Sequence, residues 1–197
     1  ARLSAFADEI SGDFNEQLDV LTANDVDHIE LRRADGKRVL ELTLKEVHEI
    51  KGRAFDAGIR FSAVGSPLGK FPLDGDFSTQ LEDLRRALEY AAILEAPYIR
   101  MFSFHIPEGH HAGEYRDQVF DWLGQMVQEA EKTDIVLAHE NEKGIYGDTG
   151  ERCLDLLTQI VSPSFTGIFD FANFVQCGED PYADCWQKLA PYIAYFH

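Results

Sequence analysis

The sequence predicts an α/β fold, a parallel (β/α)8 barrel with about seven of its strands in this chain. Three observations carry that reading. Short apolar runs alternate with longer amphipathic ones along all 197 residues, which predicts parallel strands joined by right-handed helical crossovers. Seven strands in succession favour a closing barrel over an open sheet. No GxGxxG follows the first strand, so support for a dinucleotide-binding sheet is missing.

The strand candidates are Leu3–Phe6, His28–Leu31, Ile59–Val64, Tyr98–Phe102, Ile135–His139, Phe165–Phe169 and Ile193–Phe196. Each is short and rich in β-branched or aromatic residues, as buried parallel strands are. Between them Phe14, Leu18 and Leu21 share a helical face, as do Leu81, Leu84 and Leu88, and then Tyr115, Val119, Trp122 and Met126. Gly58 ends a helix over Leu44–Ala57, Asp148-Thr149 opens another, and Asp180-Pro181 places an N-cap before a first-turn proline. A closed barrel needs eight strands and about 250 residues. Residues 1–197 therefore read as one domain lacking its last βα unit. The natural protein is expected to continue for about 60 to 90 residues, with a glutamate near the end of its final strand.

Lys and Arg number 18 against 35 Asp and Glu, for a net charge of −17. That field repels phosphate backbones, which argues against nucleic acid or an anionic membrane surface as partner. No apolar run approaches the roughly 18 residues that span a bilayer, and the N-terminus lacks a signal-peptide layout, so a cytoplasmic location is the default. The composition leaves homo-oligomerisation open. Cys153, Cys177 and Cys185 form no CxxC pair and read as reduced thiols.

In such barrels function gathers where strands end. Those positions are Asp8-Glu9, Glu30, Ser66 to Lys70, Arg100 to His105, Glu140 to Glu142, Asp170 to Asn173, and His197. The sharpest subset is Glu140, Asp170 and His197, at the ends of three successive strands. Alternation puts Glu140 with Val136 and Ala138, Asp170 with Ile168, and His197 with Ile193 and Tyr195. If those faces point inward, two carboxylates and one imidazole converge. Oxygen-rich donors with one imidazole suit Mg²⁺ or Mn²⁺, and Zn²⁺ also fits. A single strand-end acid could merely cap the next helix; three in register favour a metal.

The runs LAHENEKGIYGDT, GIFDFAN and YFH, with HIELR and GSPLGK before them, resemble the sugar-phosphate isomerase/epimerase family with a xylose-isomerase-like TIM barrel. The resemblance covers essentially the whole chain. It implies that Glu140, Asp170 and His197 are metal ligands, with a fourth, a glutamate, on the eighth strand. It also implies that Glu140 is one of two acid–base glutamates on opposite faces of the substrate carbon. Many members carry histidine where this chain has Asn173, a candidate substrate contact.

Among the remaining candidates, Glu30 either orients substrate or forms an internal ion pair with Arg100, which sits among apolar neighbours and must find a partner. Arg100 is itself a candidate substrate contact. Lys70 follows a glycine, but GSPLGKF is one residue short of a phosphate loop and has Phe71 in the Ser/Thr place. Lys70 is left to meet a substrate carboxylate or phosphate, or solvent. His105, His110 and His111 lie in a long loop that could act as a lid.

The expected activity is a metal-dependent isomerase or epimerase of carbohydrate metabolism, acting on a small sugar, sugar phosphate or polyol ketone. Proton removal beside a carbonyl makes an enediolate, whose charge a divalent cation stabilises and whose proton a carboxylate moves. A dehydratase of the inosose or dehydroshikimate type starts with the same step. A nuclease like endonuclease IV would want more histidine ligands and a basic face, and a non-catalytic sugar-binding barrel would not need the three strand-end ligands.

Overall fold

The computed structural model describes residues 2–197. In chain order the helices are α1 (Phe14–Ala23), α2 (Leu44–Asp56), α3 (Phe77–Leu94), α4 (Arg116–Ala130), α5 (Gly150–Gln159), α6 (Phe171–Gln176) and α7 (Gln187–Leu189). The strands are β1 (His28–Leu31), β2 (Arg33–Ala34), β3 (Lys37–Arg38), β4 (Arg60–Val64), β5 (Tyr98–Met101), β6 (Val136–Glu140), β7 (Phe165–Phe169) and β8 (Ile193–Phe196). The chain divides into two compact units. One takes in the residues up to Ser66 together with Arg85–Ile99; the other holds Pro67–Leu84 and Arg100–His197.

In the first unit β1 pairs in parallel with β4, and β4 with the start of β5. All four residues of β1 are buried, as in a parallel strand covered on both faces. Asp13 caps α1 by accepting from the Asn15 and Glu16 N–H groups, and Phe14, Leu18 and Leu21 form the buried stripe expected of them. Thr43 and Glu46 form a capping box on α2, and Gly58 follows in the left-handed region with φ +73°, where glycine adopts the turn without Cβ strain. The Tyr90 hydroxyl donates to the Leu42 carbonyl.

Two expectations change in this unit. Leu3–Phe6 forms no strand; Ala5 makes one isolated parallel bridge to Ile29, with Glu30 N–H donating to the Ala5 carbonyl at 3.0 Å. Leu3 is 74% exposed, so its apolar side chain gains no burial from further pairing. A two-stranded antiparallel hairpin, β2–β3, also appears. Its Asp35-Gly36 corner has both φ values positive, 50° and 79°, the signature of a type I′ turn.

In the second unit β6, β7 and β8 run parallel and in order. The segments after β4, β5 and β6 are zipped by backbone hydrogen bonds. Phe102 N–H donates to the Leu68 carbonyl (2.8 Å), Phe104 to Gly69 (2.9 Å), His105 to Phe71 (3.0 Å), and Ile106 to Gly144 (3.0 Å). Behind them Trp122 stacks on Phe77 at 4.5 Å and meets Phe104 edge-on at 5.1 Å. Thr149 caps α5. Asp180 caps Pro181–Trp186, which forms a π-helical turn leading into α7.

His139 is buried in this unit, 1% exposed. The Ser103 hydroxyl accepts from Gly147 N–H at 2.7 Å, which leaves its own proton for His139 Nε2 at 2.9 Å. Loss of hydration pushes the imidazole down to about 4 from an ordinary 6.5, only partly offset by the Glu140 charge. A depressed pKa means that the unfolded chain binds the proton first. The contribution is therefore full above pH 6.5 and is lost as pH falls toward 4, amounting to about 3 kcal/mol. Urea denaturation of wild type and His139→Asn at pH 7.5 and pH 5 checks this. The stability gap between them should narrow by about 2 kcal/mol at the lower pH; a constant gap would show that His139 does not titrate this way.

Candidate metal centre

β6 ends at Glu140, Asp170 follows β7 as the N-cap of α6, and His197 follows β8. Glu140 is in register with Ile168, and Phe169 with Phe196, so the three side chains leave neighbouring parallel strands at the same end. One donor atom from each lies within 4.8 Å of the others. Glu140 Oε1 is 3.0 Å from His197 Nδ1, and Oε2 makes an ion-pair contact of 3.3 Å with Arg100 Nη1. Oε2 is buried without a hydrogen bond.

The electrostatics separate the two acids. Burial pushes Glu140 up, but the close His197 imidazole and the Arg100 and Lys70 charges outweigh it and hold the carboxyl below its usual range. Burial raises Asp170; the Asn173 N–H opposes this, and the Glu140 charge reinforces it. An ionised carboxylate with a buried oxygen that accepts no hydrogen bond, a second acid reluctant to ionise, and an imidazole thus share one small volume. A divalent cation relieves all three conditions, so the residues fit one.

The other candidates are placed as follows. Lys70 Nζ lies 2.6 Å from Glu142 Oε2 and 4.4 Å from the ring of Phe102, while the Arg100 guanidinium lies 5.2 Å from the same ring. Arg100 forms an ion pair with Glu140. The Asn173 side-chain amide donates to the Asn141 carbonyl at 2.9 Å and accepts from Gln176. Glu30 belongs to the other unit, 2% exposed, where a Cβ on Gly65 would come within 3.2 Å of its Oε1. His110 bonds to Glu114 and Tyr115 in an exposed turn. Cys153, Cys177 and Cys185 are free thiols. Asn141 and Glu142 fall in the strand-end segment Glu140 to Glu142, but spacing alone gives neither a role.

Residues 18–197 match the family model of the xylose isomerase-like TIM barrel. The chain belongs to that family, and its fold class is the α/β barrel that the strand and helix alternation predicts. No curated protein matches the chain. Among solved structures it resembles the probable 3-DHS dehydratase AsbF of Bacillus anthracis, with 17% identity and a TM-score of 0.80 over 100% of this chain and 71% of that one. A xylose isomerase-like TIM-barrel protein of Mycobacterium smegmatis in complex with magnesium gives 17% identity and a TM-score of 0.75 over 93% of this chain and 65% of its own. A D-tagatose 3-epimerase-like protein gives 19% and 0.79, over 99% and 74%. This chain thus spans 65% to 74% of their lengths, and at these identities the likeness is one of fold. No helix among the described residues is long and apolar enough to cross a membrane.

Proposed function

We propose that this chain carries the metal centre of an isomerase or epimerase that removes a proton beside the carbonyl of a sugar, sugar phosphate or related polyol ketone. The observation that carries the reading is the convergence of Glu140, Asp170 and His197 within 4.8 Å at one end of neighbouring strands. These three residues would hold the cation. Bound there, a divalent ion such as Mn²⁺, Mg²⁺ or Zn²⁺ polarises a substrate carbonyl and stabilises charge developing beside it. Glu140, held below the usual carboxyl range by His197 and Arg100, is ionised at neutral pH and able to accept a proton. Lys70 and Arg100 supply positive charge next to it, suited to substrate oxygens. A small molecule is the partner this site accommodates.

A dehydratase is the second reading, favoured by the TM-score of 0.80 over the whole chain to the probable 3-DHS dehydratase. It begins with the same proton abstraction and differs in the fate of the neighbouring hydroxyl. The full-length protein, stripped of metal and titrated with Mn²⁺, should take up one ion per chain. Substitution of Glu140, Asp170 or His197 should each weaken uptake. Stoichiometric binding that survives all three substitutions would place the metal elsewhere. A panel of ketoses, inososes and 3-dehydroshikimate, followed for solvent deuterium incorporation and for loss of water, then separates the two readings.

A further inference from the structure

The geometry points to Asn141 as the residue that positions Asp170 for metal binding; this rests on the metal-centre reading above. The β6–β7 ladder ends at the pair Glu140 and Ile168. Beyond it, the Asn141 side chain takes over the part of a missing strand peptide. Its Nδ2 donates to the Asp170 carbonyl at 3.0 Å, and its Oδ1 accepts from Asp170 N–H at 2.9 Å. Both backbone polar groups of Asp170 are thereby fixed by one buried side chain, 1% exposed. A primary amide offers a donor and an acceptor on two separate atoms, as this reciprocal pairing needs; an ionised carboxylate has no donor, and a hydroxyl carries both functions on a single oxygen.

The pairing fixes how the Asp170 carboxylate can point. Asp170 Oδ1 accepts from Asn173 N–H at 2.7 Å, and the Asn173 amide returns to the Asn141 carbonyl at 2.9 Å. Asn141, Asp170 and Asn173 therefore close a loop of four hydrogen bonds. One Asp170 oxygen is committed inside that loop, leaving the other for the cluster with Glu140 and His197. Because Asn141 directly follows Glu140 in sequence, one short segment sets both acids relative to each other. Outer partners of this kind orient ligands and tune affinity without touching the ion.

The test uses Mn²⁺ calorimetry and Co²⁺ absorption on the full-length protein, with wild type, Asn141→Ala and Asp170→Ala. Asn141→Ala should raise the Mn²⁺ Kd by about 10- to 100-fold. Its visible spectrum at saturating Co²⁺ should move from the wild-type bands toward those of Asp170→Ala, which a purely structural role would not cause. If the alanine variant fails to fold, Asn141→Ser, which keeps a small hydratable group, carries the same comparison. A Kd within twofold of wild type, or a wild-type Co²⁺ spectrum in the variant, overturns the assignment of Asn141 while leaving the metal centre intact. Wild type that takes up neither ion overturns the metal centre itself, and the role of Asn141 with it.

Discussion

Glu140→Gln is expected to abolish metal uptake and turnover together while leaving the secondary structure in place. Glutamine keeps the shape of the side chain, so β6 and its pairing with β7 are undisturbed. What is lost is the charge that Arg100 meets at 3.3 Å and His197 at 3.0 Å. Acid–base groups contribute about 10² to 10⁴ in rate, and removing a ligand exceeds the roughly 10- to 100-fold cost of losing an outer partner. Mn²⁺ affinity should therefore fall by more than about 100-fold. The substitution also leaves the Arg100 guanidinium, 7% exposed, without its Glu140 countercharge, and breaking a buried ion pair costs about 3 kcal/mol. Part of that returns, because Asp170 no longer faces a neighbouring carboxylate. Far-UV circular dichroism should match wild type, with a moderately lower Tm. Turnover within about tenfold of wild type would remove Glu140 from the proton-transfer role, whatever the metal does.

The convergence of Glu140, Asp170 and His197 was legible because each follows a short apolar run with period-two alternation. Strand-end parity needs no knowledge of long-range pairing. The partner of Arg100 was not legible on those grounds. Parity gives the face a residue occupies, not the register of the next strand, so the contact of Arg100 with Glu140 at 3.3 Å could not be read from it. The hairpin was missed although Asp35-Gly36 is a strong turn signal, because its flanks Arg33, Lys37 and Arg38 are charged and show no alternation. Leu3–Phe6 had the composition of a strand, but the surroundings bury too little of it to sustain a ladder. The zipped segments behind Lys70 rest on backbone bonds between residues more than 30 positions apart, such as Gly69 with Phe104 and Phe71 with His105, and side-chain pattern carries no record of those.

Gly69→Ala is the second large effect, and it follows from one of those unread contacts. Gly69 has φ +79°, and a Cβ added there would lie 2.0 Å from the Phe102 carbonyl oxygen. Gly36 has the same φ, +79°, with nothing within 4 Å of its Cβ position. Alanine at position 36 therefore carries only the left-handed strain, about 1 kcal/mol, or about 3 °C in Tm for a chain of this size. Alanine at position 69 carries that strain and must also push two backbone segments apart. Phe102 N–H donates to Leu68 and Phe104 N–H to Gly69, so movement breaks the zipper on both sides of the clash. Gly69 N–H is itself held by the buried Gln80 Oε1 at 2.9 Å, which closes the remaining direction of escape. The cost should reach about 3 kcal/mol or more, lowering Tm by about 10 °C. Displacement of Lys70, the next residue, should also loosen its pair with Glu142 and its contact with the Phe102 ring. Thermal melts of the two alanine variants side by side test the claim, since backbone strain cancels between them. Equal losses in Tm would show that the approach of Phe102 to Gly69 does not constrain the fold.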